Sequence, residues 1–114
     1  MKIRVKIAKS EEEQQKGLMG VTDLPNDEGM LFDFGYRQNL SFWGMNTYIP
    51  LDIAFIQDNK IVRIDKIKPH SLVAVSSFIP CDAALEVNAN FFLKNGIGEN
   101  DTVKIDGEFL EFIK

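Results

Sequence analysis

LDIAFIQDNKIVRIDKI, residues 51–67, decides the fold class. Two runs rich in β-branched and aromatic residues, 51–57 and 60–67, flank Asp58-Asn59. Both turn residues tolerate the positive φ that a two-residue hairpin loop demands. The stretch therefore predicts an antiparallel hairpin. A second is predicted at the C-terminus, where TVKI and EFLEFI flank Asp106-Gly107 as a type I′ turn. At the other end Ile3, Val5 and Ile7 alternate with Lys2, Arg4 and Lys6, which gives a strand one apolar and one charged face. GMLFDF (29–34), LSFW (40–43) and ALEVN (84–88) read as further strands, and TDLPNDEG (22–29) as a loop. Ser10 with Glu13 three residues on is a capping-box pattern, and Glu11 and Glu12 suit the positive end of a helix that should stop near Gly17. ANFFLKNG (89–96) predicts a second short helix. With no repeat or linker, the sum is one domain, residues 1–114, mostly β: a compact sandwich or an irregular barrel with one or two short helices.

Hydrophobic residues make up 45% of the 114, ordinary for a globular chain. Thirteen basic residues face seventeen acidic ones, for a net charge of −4, and no basic stripe appears. Nothing is built to neutralise phosphates, so neither nucleic acid nor an anionic membrane is an expected partner. No stretch is long and apolar enough to span a bilayer, and MKIRVKIAKS (1–10) lacks the continuous apolar core of a signal peptide. A lone cysteine, Cys81, cannot form an intrachain disulfide. Together these features lead us to expect a cytoplasmic protein.

The candidate site lies in LSFWGMNTYIPLDIAFI (40–56), where Asn46, Thr47 and Asp52 interrupt an apolar run. Polar groups in such surroundings cost stability unless hydrogen-bonded, so they serve as structural ties or as a site. A loop carrying Asn46 and Thr47 beside Trp43 and Tyr48 has the mixture of aromatic wall and few polar groups that small-molecule sites use. Asp52 either ties that loop, accepting hydrogen bonds from its backbone or from Asn46 and Thr47, or faces a ligand. Glu86 shares a strand face with Ala84 and Asn88, which is either a solvated outer face or, if the strands adjoin, one that brings it to Asp52 as an acid/base pair. One His and one Cys cannot make a zinc site, and Met19, Met30 and Met45 serve more readily as core filler than as soft-metal ligands. No phosphate loop or nucleophile elbow is present, so no metal or cofactor is expected. Cys81 follows Pro80 in an apolar segment and reads as a buried, inert thiol. Phe91 and Phe92 read as covered by the C-terminal hairpin.

Four stretches, KGLM (16–19), GMLFDF (29–34), FWGMNTYIPLDIAFI (42–56) and LEVNANFFLKNGIGENDTVKI (85–105), resemble in order and spacing the DUF192 family, small mostly-β proteins of unassigned function. The family pattern usually runs Phe-Trp-Met-Lys-Asn-Thr; here Gly44 and Met45 precede Asn46, and the basic residue is absent. Asn90 and Asn100 stand where the family tends to have glycine, and Asn is the residue that best preserves a left-handed turn there. The resemblance implies no activity; it marks residues 42–52 as the place to look. The functional expectation is a small binding or interaction module for a small molecule or a protein, with Trp43, Asn46, Thr47, Asp52 and Glu86 as candidate ligand-binding residues. The alternative is a small hydrolase or lyase using Asp52, alone or with Glu86, as acid/base group.

Overall fold

A computed structural model describes residues 1–114. Seven strands close into a barrel in the order β1-β2-β7-β4-β5-β8-β9, with β9 returning to β1, so of the two predicted architectures the chain forms the barrel. The strands are β1 (Lys2–Ala8), β2 (Glu28–Gln38), β4 (Leu51–Gln57), β5 (Lys60–Ile67), β7 (Cys81–Asn88), β8 (Thr102–Asp106) and β9 (Phe109–Ile113). Helix α1 (Glu11–Lys16) follows β1, and α2 (Phe91–Lys94) follows β7. Two short strands, β3 (Ser41–Phe42) and β6 (Val75–Ser76), pair as a separate ribbon. The β1–β2 pair is parallel and the other barrel pairs are antiparallel, which is the irregularity of the barrel.

The hairpin at 51–67 forms as predicted: Asp58 and Asn59 both take positive φ, 50° and 63°. At the C-terminus the turn lies one residue later than expected. Asp106 pairs with Phe109, so the two loop residues are Gly107 and Glu108, and only Gly107 has positive φ, 63°. A first loop residue at positive φ followed by one at negative φ is the type II′ pattern rather than type I′. Asn90 and Asn100 are left-handed, φ 70° and 76°. Phe91 and Phe92 are buried, their rings 5.9 and 6.3 Å from that of Phe112 on the final strand.

Two apolar layers result. Inside the barrel Ile3, Val5, Leu31, Ala54, Ile56, Leu85, Val87 and Leu110 pack with the two α2 phenylalanines. The second layer, around Met30, Phe32, Leu51, Ile53, Phe55 and Ala84, lies on the outer face of the same strands. Leu18, Leu40, Phe42 and Val75, from the segment after α1 and from the β3–β6 ribbon, cover it. Strand β4 is therefore buried on both faces from Leu51 to Ile56, which is why its sequence shows no alternation. At Gly29 on β2 an added Cβ would stand 2.7 Å from the Glu86 carbonyl oxygen, so glycine lets β2 and β7 approach closely at this point.

Candidate functional site

The outer layer does not close completely. Between α1, the KGLM segment, the end of β2, β3 and the following turn lies a cleft of about 800 Å³. Its walls are Leu18, Met19, Phe32, Phe34, Phe42, Trp43 and Met45; its polar lining includes Ser41, Thr47 and Glu86, with Glu11, Glu12, Gln15 and Lys16 of α1 at the rim. All four stretches that carry the family resemblance contribute lining residues.

Local chemistry fixes each wall. Ser10 Oγ accepts from the Glu13 amide at 3.1 Å, while Glu13 Oε1 accepts from the Ser10 amide at 3.0 Å, so the predicted capping box forms. The Ser10 amide, with that of Lys9, holds the Glu13 carboxyl below its ordinary range. No residue of α1 is fully buried; Gln14 anchors it, its amide nitrogen donating to the carbonyls of Ala8 (3.2 Å) and Asp33 (2.8 Å). That attachment sets Glu11 and Glu12 at the cleft edge. On the opposite wall the Phe42 ring meets Phe32 edge-on at 5.0 Å and Phe34 at 6.3 Å, a geometry that aromatic pairs favour.

Residues 44–47 close one end as a β-turn. The Thr47 amide donates to the Gly44 carbonyl (3.0 Å), with Asn46 left-handed at φ 54°, the type II position for Asn or Gly. The Asn46 carbonyl accepts from the Gly20 amide at 2.9 Å, stitching this turn to the end of the KGLM segment. Gly44 packs against the 68–71 loop so tightly that a Cβ would fall 1.8 Å from the Lys68 carbonyl oxygen.

The candidate residues divide accordingly. Trp43 lines the cleft with 47% of its surface exposed, and Thr47 lines it almost fully buried. Asn46 is exposed and lies outside the lining; its contribution is the shape of the turn. Asp52 also lies outside. Alternation along β4 places it with Ala54 and Ile56 on the inward side, where Lys66 Nζ donates to Oδ1 at 2.9 Å and to Asn90 Oδ1 at 3.1 Å. The expected tie from Asn46 and Thr47 to Asp52 does not form, because loop and carboxylate lie on opposite sides of the strand and Lys66, paired directly across on β5, reaches it first.

Glu86 does face the cleft. It shares the outer face with Ala84, as the alternation predicts, but that face is covered rather than solvated, and Glu86 is only 4% exposed between Met30 and Ile53 on the adjoining strands. Because Ile53 pairs with Glu86 and Asp52 with Val87, the two carboxyls point to opposite faces of the sheet. The paired acid/base arrangement is thereby overturned. The Glu86 carboxyl makes no hydrogen bond within the protein, yet no polar side-chain atom is sealed off without a partner, so its oxygens open onto the cleft. Burial pushes it up to about 8, leaving a neutral acid at pH 7 that can donate a hydrogen bond. Of the remaining groups, His70 stacks edge-on with Tyr48 at 4.8 Å, and burial raises the Cys81 thiol, which is fully enclosed on β7. No cluster of three or more His, Cys, Asp and Glu side chains suited to a metal ion occurs.

Sequence reasoning missed Phe34, Ser41, Met45 and the α1 residues as cleft lining. The available signal was indirect: an apolar run in β4 without alternation requires a second covering layer, and the capping-box helix beside KGLM is a short element free to provide its edge.

The model of the family described as DUF192, Uncharacterized ACR, matches residues 1–105. A candidate transcription regulator of Sinorhizobium meliloti 1021 has a crystal structure similar to this chain, with 34% identity, a TM-score of 0.87 and coverage of 96% of this chain and 81% of its own. A protein of unknown function from Novosphingobium aromaticivorans DSM 12444 is similar at the same identity and TM-score over 90% of this chain and 75% of its own. No curated protein matches. No helix is long and apolar enough to cross a membrane.

Proposed function

We propose that the chain, which belongs to the DUF192 family, is a binding module that holds a small, largely apolar molecule in the cleft between α1 and β3. The observation that carries this reading is Glu86: a buried carboxyl, unpartnered within the protein, at the floor of an apolar, aromatic-walled cleft. A volume of about 800 Å³ is in the range of small-molecule sites, and aromatic walls with a few convergent polar groups are their usual composition. A strongly perturbed carboxyl in a cleft is also where function concentrates.

Trp43 supplies an apolar wall, and Thr47 and Glu86 the hydrogen-bonding groups. Asn46 shapes the turn that presents Thr47, and Asp52 braces the barrel through Lys66. With Asp52 on the opposite face of the sheet and engaged by Lys66, the cleft lends no support to the acid/base alternative built on it. A net charge of −4 and acidic residues at the rim argue against a nucleic-acid partner, so the regulator name of the Sinorhizobium neighbour is not carried to this chain. The free, enclosed Cys81 is the ground for proposing a reducing, cytoplasmic setting.

Nile red, a neutral apolar dye, tests the cleft as a binding site. Saturable binding of one dye per chain is expected, abolished by Ser41→Phe, which places a ring across the opening from an exposed position. Absence of saturable binding, or binding indifferent to Ser41→Phe, would overturn the reading.

A further inference from the structure

We propose that the cleft selects an organic cation, an amine with an apolar body, whose ammonium sits against the Glu86 carboxylate while the body lies between Phe42, Met45 and Trp43. The inference rests on the binding reading above and names its ligand class. Three independent features converge on it.

The first is the unmet demand of Glu86. Its neighbours across the sheet are Met30 and Ile53, and no basic side chain of the protein reaches it. A buried carboxyl without a partner costs free energy, and an ammonium, with three donors, satisfies it by a charge-assisted bond stronger than a neutral one. On binding, the neutral acid gives its proton to solvent, and the ammonium takes its place as partner of the resulting carboxylate. The second is the wall chemistry: phenylalanine and tryptophan faces attract cations through the ring quadrupole, most strongly where water is excluded. The third is the sign of the rim. The other ionisable lining residues all come from α1: Glu11, Glu12 and Lys16, two acids against one base. An anion would be repelled at the rim, and at the floor once Glu86 is ionised. A neutral ligand with a carbonyl could accept from protonated Glu86 and pack on the rings, but would gain no cation–π attraction from them and no electrostatic attraction from the rim.

The test uses three probes of one shape, 2-phenylethylamine, 2-phenylethanol and phenylacetate, each competed against Nile red at about pH 9, above the value of about 8 at which Glu86 ionises and below the range of an alkylammonium. The amine is expected to bind at least about tenfold more tightly than the alcohol, the size of a charge-assisted over a neutral hydrogen bond, and phenylacetate most weakly. In Glu86→Gln, whose cooperative urea unfolding certifies an intact fold, the advantage of amine over alcohol is expected to shrink at least about fivefold, the remainder coming from the rings and the rim. The exposed double variant Glu11→Gln/Glu12→Gln, which cannot disturb the core, is expected to weaken the amine a few-fold at low salt and leave the alcohol unchanged. Equal affinity of amine and alcohol, or an amine preference undiminished in Glu86→Gln, would overturn the proposal while leaving the cleft itself, as reported by Nile red, in place.

Discussion

Replacing Glu86 by Gln removes the charge of the buried carboxyl while keeping its size, and its effect on stability should depend on pH in a way that few surface substitutions can imitate. In the folded chain burial raises the carboxyl from its ordinary 4.5 to about 8, whereas in the unfolded chain it titrates near the ordinary value. The folded value is the higher one. The stability that the neutral acid permits is therefore fully present below the unfolded value and is lost as pH rises toward the folded one. Each pH unit between the two is worth about 1.4 kcal/mol, so wild type should lose about 3 kcal/mol relative to Glu86→Gln on going from about pH 4.5 to about pH 7. Above about pH 8 the gap should level off. Glu13 and Asp101, whose backbone hydrogen bonds lower their carboxyls, titrate alike in both proteins and cancel in the difference. Urea unfolding followed by the single tryptophan, Trp43, across a pH series measures the gap directly. A gap independent of pH would mean that Glu86 is hydrated or paired, and the reasoning from its burial would fail.

Gly44→Ala should destabilise by about 2 kcal/mol or more, because a Cβ would overlap backbone at Lys68 rather than a movable side chain; an unchanged melting temperature would show that the 44–47 turn does not pack as described. Lys66→Met should cost more than Asp52→Asn, by about 1 kcal/mol, since losing Lys66 leaves a buried carboxylate without its side-chain donor whereas Lys66 alone is free to turn to water; urea melts of the two variants in the reverse order would refute this. Asn59→Gly should change stability by less than about 0.5 kcal/mol because the φ of 63° suits either residue, whereas Gly107→Ala, with φ also 63°, should cost about 1 kcal/mol or more in thermal melts. Equal effects at these two turns would contradict their assigned types.

The fold was legible in the sequence where the signal is local. The 51–67 hairpin and the Ser10–Glu13 box follow from a residue and its near neighbours, and the left-handed Asn90 and Asn100 from the glycines the resembling family tends to have there. The C-terminal turn slipped by one residue because Asp-Gly marks a turn without fixing which two residues are the loop; the pairing of Asp106 with Phe109 decides that. The site was legible only by half. Alternation places Glu86 with Ala84, but whether that face meets water depends on Leu18, Leu40 and Phe42 arriving from distant parts of the chain. Glu86 stood out for the same reason as Asp52, a charge inside an apolar run, but polarity does not show which neighbour meets Asp52. Its partner, Lys66, sits fourteen residues away in the facing strand of the same hairpin, and it is the register of that pairing, not the polarity of the run, that determines what the carboxylate meets.

On the binding reading, a ligand enters this cleft and meets Glu86. A crystal structure of the chain grown with 2-phenylethylamine tests it most directly. The ring is expected between Phe42 and Trp43, with the nitrogen at about 2.8 Å, charge-assisted hydrogen-bond distance, from a Glu86 oxygen. A cleft left empty at saturating amine, or an amine bound elsewhere with Glu86 untouched, would contradict it.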